Sequence, residues 1–121
     1  MHILVVEDHP DTRSMLERML SSWGHEVVTA DGVRAGLTEL KNRQFDTVVS
    51  DIALGDGSGY ELMQEARRFG VDAQGIAISA YRFPEAVWEP KVTGFDSYVL
   101  KPFTMDELRS AVEKRGVSGR N

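Results

Sequence analysis

The sequence predicts an α/β domain: a parallel sheet of five short strands covered by helices on both faces. Three observations carry that expectation. Apolar, β-branched runs recur at residues 3–6, 26–30, 45–51, 75–79 and 97–100. Between most of them lie stretches whose apolar residues repeat at helical spacing, and strands alternating with helices imply parallel pairing. The chain of 121 residues is about one domain, long enough to bury a hydrophobic core.

Ile3, Leu4, Val5 and Val6 form a continuous apolar run too short for a helix and read as a strand buried on both faces. Glu7, Asp8, His9 and Pro10 follow, with the proline placed for a first helical turn. Met15, Leu16, Met19, Leu20 and Trp23 then define a helix face, and Gly24 is a plausible left-handed cap. Residues 26–30 read as the second strand, and Val33, Leu37 and Leu40 as a second amphipathic helix that Gly36 weakens. The third strand runs into a loop with glycine at 55, 57 and 59, which permits backbone conformations closed to other residues. Tyr60, Leu62, Met63, Ala66, Arg67 and Phe69 continue as a third helix ending near Gly70.

Residues 75–79 and 97–100 are the last two strands. Between them Pro84 could open a helix, but Pro90 would remove a backbone bond from it, so a short or kinked helix is expected. The final helix opens on a capping box, Thr104-x-x-Glu107, with Met105, Leu108 and Val112 on one face. The domain is expected over residues 1–115, and the Gly/Ser-containing stretch 116–121 reads as a frayed tail or the start of a linker.

Composition narrows the function. Hydrophobic content of 41% and charged content of 27% are ordinary for a soluble globular domain. A net charge of −5 argues against nucleic-acid binding as the main activity. With no cysteine there is neither a disulfide framework nor a thiolate metal site. No apolar stretch approaches the length of a membrane span, no signal peptide precedes the first strand, and a cytoplasmic domain is expected. His2, His9 and His25 have no convergent partners in sequence, so metal binding by them is not expected.

The carboxyl ends of parallel strands share one rim, where open α/β sheets bind ligands. That rim would gather Glu7 and Asp8, Asp51, Ser79 and Lys101. Taken singly, each has an ordinary explanation: Asp51 as a turn former, Glu7 and Asp8 as helix-start acids, Ser79 as a loop hydroxyl, Lys101 as a solvated charge. Jointly they place three carboxylates, a hydroxyl and an ammonium together. Crowded carboxylates repel unless a cation sits among them. An oxygen-only site suits Mg²⁺, and Lys101 and Ser79 then suit an anion beside the metal, phosphoryl above all.

Glu7-Asp8, Asp51, Ser79 and Lys101-Pro102, in this order and spacing, resemble the receiver domain of two-component response regulators, over residues 3 to about 114. The resemblance implies a flavodoxin-like doubly wound fold with strand order 2-1-3-4-5. It implies that Asp51 accepts a phosphoryl group from the phosphohistidine of a histidine kinase or histidine phosphotransfer domain. Asp8, Asp51 and the Ala53 carbonyl would ligate Mg²⁺, with Glu7 acting through water. Lys101 would pair with the phosphoryl group, its bond to Pro102 would be cis, and Ser79 and Tyr98 would form the conformational switch. It implies a signalling domain rather than an enzyme, with an unidentified output partner.

Departures from the family pattern are Gly55, where proline is usual, and Pro90 in a helix often used for partner contact. Trp88 reads as a partner anchor or as packing within the domain, and Tyr81 as a shield for the phosphoryl group. Stretch 50–59 resembles receivers appended to hybrid histidine kinases. Two other readings stay open: a receiver-shaped docking module that works without phosphorylation, and an Asp-nucleophile phosphatase. The phosphatase normally needs a second aspartate at the position of Ala53.

Overall fold

The structure, a computed structural model, describes residues 1–80 and 93–114. The expectations for Tyr81, Pro84, Trp88, Pro90 and residues 116–121 lie outside the described residues.

The main sheet contains β1 (His2–Val6), β2 (Glu26–Ala30), β3 (Thr47–Asp51), β6 (Gln74–Ser79) and β7 (Ser97–Leu100). All pairs are parallel and the order is β2-β1-β3-β6-β7. This is the expected 2-1-3-4-5 order, with a two-stranded antiparallel hairpin, β4 (Ala53–Leu54) and β5 (Gly57–Ser58), inserted after β3. The described helices are α1 (Pro10–Ser22), α2 (Val33–Asn42), α3 (Gly59–Arg68) and α4 (Met105–Glu113).

Side chains alternate across the sheet, so each strand feeds two cores. Leu4, Val6, Val48 and Ala77 pack with Leu40 of α2 and with Leu62, Met63 and Ala66 of α3. Ile3, Val5, Val49, Ile76, Ile78 and Val99 pack with Leu16 and Leu20 of α1 and with Leu108, Ala111 and Val112 of α4. Burial on both faces is why these strands read as unbroken apolar runs rather than alternating ones.

Two expected core residues lie outside. Met15 is 43% exposed, because the buried stripe of α1 runs through Leu16 and Leu20 with Met19 and Trp23 at its margin. Met105 is 60% exposed. It opens α4 one turn before Leu108, and the buried stripe of that helix runs through Leu108, Ala111 and Val112.

The glycines at 55, 57 and 59 serve different ends. Of these three, only Gly57 has a positive φ, 154°, as the glycine-rich loop leads one to expect. Gly59 is needed for close approach instead, since a Cβ there would lie 2.5 Å from the Asp51 carbonyl oxygen. Gly36, which weakened the reading of α2, lets that helix approach α3: a Cβ there would lie 3.1 Å from Leu62 Cδ1.

Candidate functional site

Three strands deliver the central groups by the same rule. Val5, Val49 and Val99 point to the α1/α4 side, and two residues further along each strand direction stand Glu7, Asp51 and Lys101. The three therefore meet at one rim on one side of the sheet. The Lys101 ammonium lies 2.6 Å from Asp51 Oδ2 and 3.4 Å from Glu7 Oε1. Asp8 completes the group: one carboxylate oxygen from each of Glu7, Asp8 and Asp51 lies within 4.8 Å of the other two. Among the described residues this is the one cluster of possible metal-ligating side chains.

Burial sets the electrostatics. Glu7 is 1% exposed and Asp51 is 9% exposed. Burial raises the Glu7 carboxyl above its usual range, and the Asp51 charge adds to this; the His9 backbone N–H and the Lys101 charge act against it. Burial works to lower the Lys101 pKa, but its hydrogen bond to Asp51 and the Asp51 and Glu7 charges together carry it above the usual lysine value. Three crowded acids facing one ammonium leave an excess of negative charge at an oxygen-rich rim. The donor set fits a small hard divalent cation such as Mg²⁺.

The backbone orients Asp51 further. The Ala53 N–H donates to Asp51 Oδ1 at 3.1 Å, so both carboxylate oxygens have a donor. Ser79, buried at the end of β6, accepts from the Lys101 N–H through its carbonyl at 2.7 Å. By strand alternation Ser79 shares the side of Ala77, the opposite side from Asp51, and Tyr98 packs against that same α2/α3 core. Ser79 and Tyr98 thus sit on one face of neighbouring strands. The Lys101–Pro102 peptide bond is cis.

His2 pairs with Glu26 at 3.1 Å and His25 meets the Met1 amine at 3.2 Å, both away from the acidic cluster.

Two features were missed in the sequence. Ser58-x-x-Glu61 forms a full capping box on α3, with the same signature as Thr104-x-x-Glu107. Its position inside a glycine-rich stretch masked it. Asp56 caps α2 from a distance of more than twenty residues, accepting from the Val33 and Arg34 N–H groups at 2.7 and 3.1 Å. No local pattern signals a cap supplied from another segment.

Solved structures share this architecture. Response regulator TrrA from Thermotoga maritima, determined in complex with Mg²⁺–BeF, superposes with a TM-score of 0.84 at 33% identity, over 94% of this chain and 97% of that one. The sequence matches the response regulator receiver domain family over residues 3–113, and the chain belongs to that family. Among curated relatives, the sensor histidine kinase RcsC of Escherichia coli is 36% identical over 113 residues, which is 93% of this chain and 12% of the kinase. A 14.6 kDa protein of Leptolyngbya boryana is 34% identical over 94% of this chain and 88% of its own length. The chain therefore spans about an eighth of the kinase it resembles and most of the smaller protein. No described helix is long and apolar enough to cross a membrane.

Proposed function

We propose that this chain is a phosphoacceptor in two-component or phosphorelay signalling, and that Asp51 takes a phosphoryl group from the phosphohistidine of a histidine kinase or histidine phosphotransfer domain. The observation that carries the reading is the Lys101 ammonium seated 2.6 Å from Asp51 Oδ2, beside Glu7 and Asp8. An Asp51 oxygen attacks phosphorus, a P–O bond forms, and the P–N bond to the donor imidazole breaks. The Ala53 N–H fixes the carboxylate plane while this happens. Lys101, which neutralises Asp51 before transfer, then pairs with the arriving phosphoryl oxygens.

Mg²⁺ held by Asp8, Asp51 and the Ala53 carbonyl, with Glu7 acting through water, would neutralise the remaining charge on those oxygens. The acyl phosphate places new negative charge at the rim, and the Ser79 hydroxyl would move from the α2/α3 side toward it to hydrogen-bond to it. Tyr98, on the same face, then occupies the space Ser79 leaves, which shifts the balance between two conformations.

On this reading the chain is a signalling domain over residues 1–115 that catalyses only its own phosphorylation and dephosphorylation. It works in the cytoplasm on an output partner whose identity the domain does not encode. The likeness to part of RcsC supports a receiver of the hybrid-kinase kind.

Incubation with Mg²⁺ and acetyl phosphate, followed by intact-protein mass spectrometry, tests the proposal. One labile phosphoryl adduct is expected, and Asp51→Asn should abolish it. An Asp51→Asn protein that labels as well as wild type would sink the assignment. Turnover of free phosphate esters would favour a phosphatase instead.

A further inference from the structure

The loop that leaves Asp51 is anchored by more than its own sequence. The hairpin of β4 and β5 has two residues in each strand, and so short a pairing is marginal alone. Its base is held by the Gly59 N–H, which donates to the Ile52 carbonyl at 2.8 Å, and its middle by the buried Leu54. Its turn is held by Asp56, whose two carboxylate oxygens accept from the first two N–H groups of α2. The receiving segment leaves room for this contact. A Cβ at Gly32 would fall 2.5 Å from Asp56 Oδ1, so only glycine fits there with the aspartate in place.

The same hairpin touches the acidic site at two points. The Ala53 N–H donates to Asp51 Oδ1, and Gly55, next to Asp56, lies against the Asp8 carboxylate, with a Cβ position 3.6 Å from Oδ2. We propose that Asp56 is a positioning residue: by clamping the hairpin turn to the N-terminus of α2, it holds Ala53 and Gly55 in register with Asp51 and Asp8 and so sets the affinity of the rim for Mg²⁺. This rests on the phosphoacceptor reading for the importance of that rim. The physical basis is that groups which orient ligands control metal affinity without touching the metal.

The test compares Asp56→Ala, Asp56→Asn and Leu40→Ala with wild type, using Mg²⁺ alone as probe. Mg²⁺ affinity is measured by calorimetry and Ala53 N–H protection by hydrogen exchange, well below each melting temperature. Asp56→Ala should weaken Mg²⁺ binding about tenfold, the lower end for such orienting groups, and expose the Ala53 amide to faster exchange. Asp56→Asn keeps one of the two acceptor oxygens and sets an amide N–H group against the other backbone donor, so its Mg²⁺ affinity should fall between those of wild type and the alanine variant. Leu40→Ala destabilises α2 through its buried face and should leave Mg²⁺ affinity unchanged.

Gly32→Ala displaces Asp56 sterically and should reproduce the alanine variant, which keeps the proposal testable if Asp56→Ala folds poorly. Wild-type Mg²⁺ affinity and Ala53 protection in Asp56→Ala overturn the proposal. Acetyl phosphate labelling of wild type separates the two claims: no adduct at Asp51 overturns the phosphoacceptor reading, while the Mg²⁺ and exchange comparisons still decide the role of Asp56.

Discussion

Glu7 shows most sharply what the acidic cluster costs the fold. Its carboxylate is buried beside Asp51, with one ammonium and one backbone N–H to offset the loss of water. Because its folded pKa is raised above 4.5, the native state binds more protons than the unfolded chain between that value and the folded one. In a chelator-containing buffer, stability from this group therefore falls as pH rises through that window. Glu7→Gln removes the slope and should gain about 1 kcal/mol near neutral pH, typical of relieving a functional-site conflict. Parallel urea melts of the two proteins from pH 4.5 to 8 check the sign. A variant less stable than wild type at pH 7 would show that the bonds from Lys101 and His9 outweigh the burial of the charge.

The elements around the site were largely legible because their signals are local. Thr104-x-x-Glu107 announced α4, and the apolar runs announced the sheet. Ser58-x-x-Glu61 carried equal information, hidden among glycines, and Asp56 carried none that is local, since its partners at 33 and 34 lie on another helix. Met105 misled because helical spacing does not say at which turn a helix begins to be buried, and here burial starts at Leu108. Two predictions follow at this scale. Ser58→Ala and Thr104→Ala should each cost about 1 kcal/mol in denaturant melts, the usual value for a lost N-cap. Gly59→Ala should cost more, about 1–3 kcal/mol as an overpacked site, because its Cβ meets backbone rather than a side chain that can move aside. It should also slow labelling by acetyl phosphate, since the obstructing atom is the carbonyl of Asp51 itself.

At the scale of the whole molecule, the site was legible for a topological reason. Parallel strands put all their carboxyl ends on one rim, so residues 7, 8, 51 and 101 could be brought together before any distance was known. The alternation that sends Glu7, Asp51 and Lys101 to one side and Ser79 and Tyr98 to the other was also implicit in the strand period. It became usable only once the register tied Ile78 to Val99 and Ala77 to Tyr98. Gathering like charges at one rim leaves the fold with an electrostatic strain that a bound divalent cation would relieve, and that coupling is measurable. A ligand that binds the native state alone stabilises it by mass action, about 1.4 kcal/mol at ten times its dissociation constant. Mg²⁺ should therefore raise the melting temperature of wild type progressively, by several degrees at that concentration for a domain of this size. Asp8→Asn should melt higher than wild type without metal, because one repelling charge is gone, and should respond far less to Mg²⁺. Equal Mg²⁺ responses in the two proteins, followed by differential scanning calorimetry at fixed ionic strength, would place the cation somewhere other than this rim.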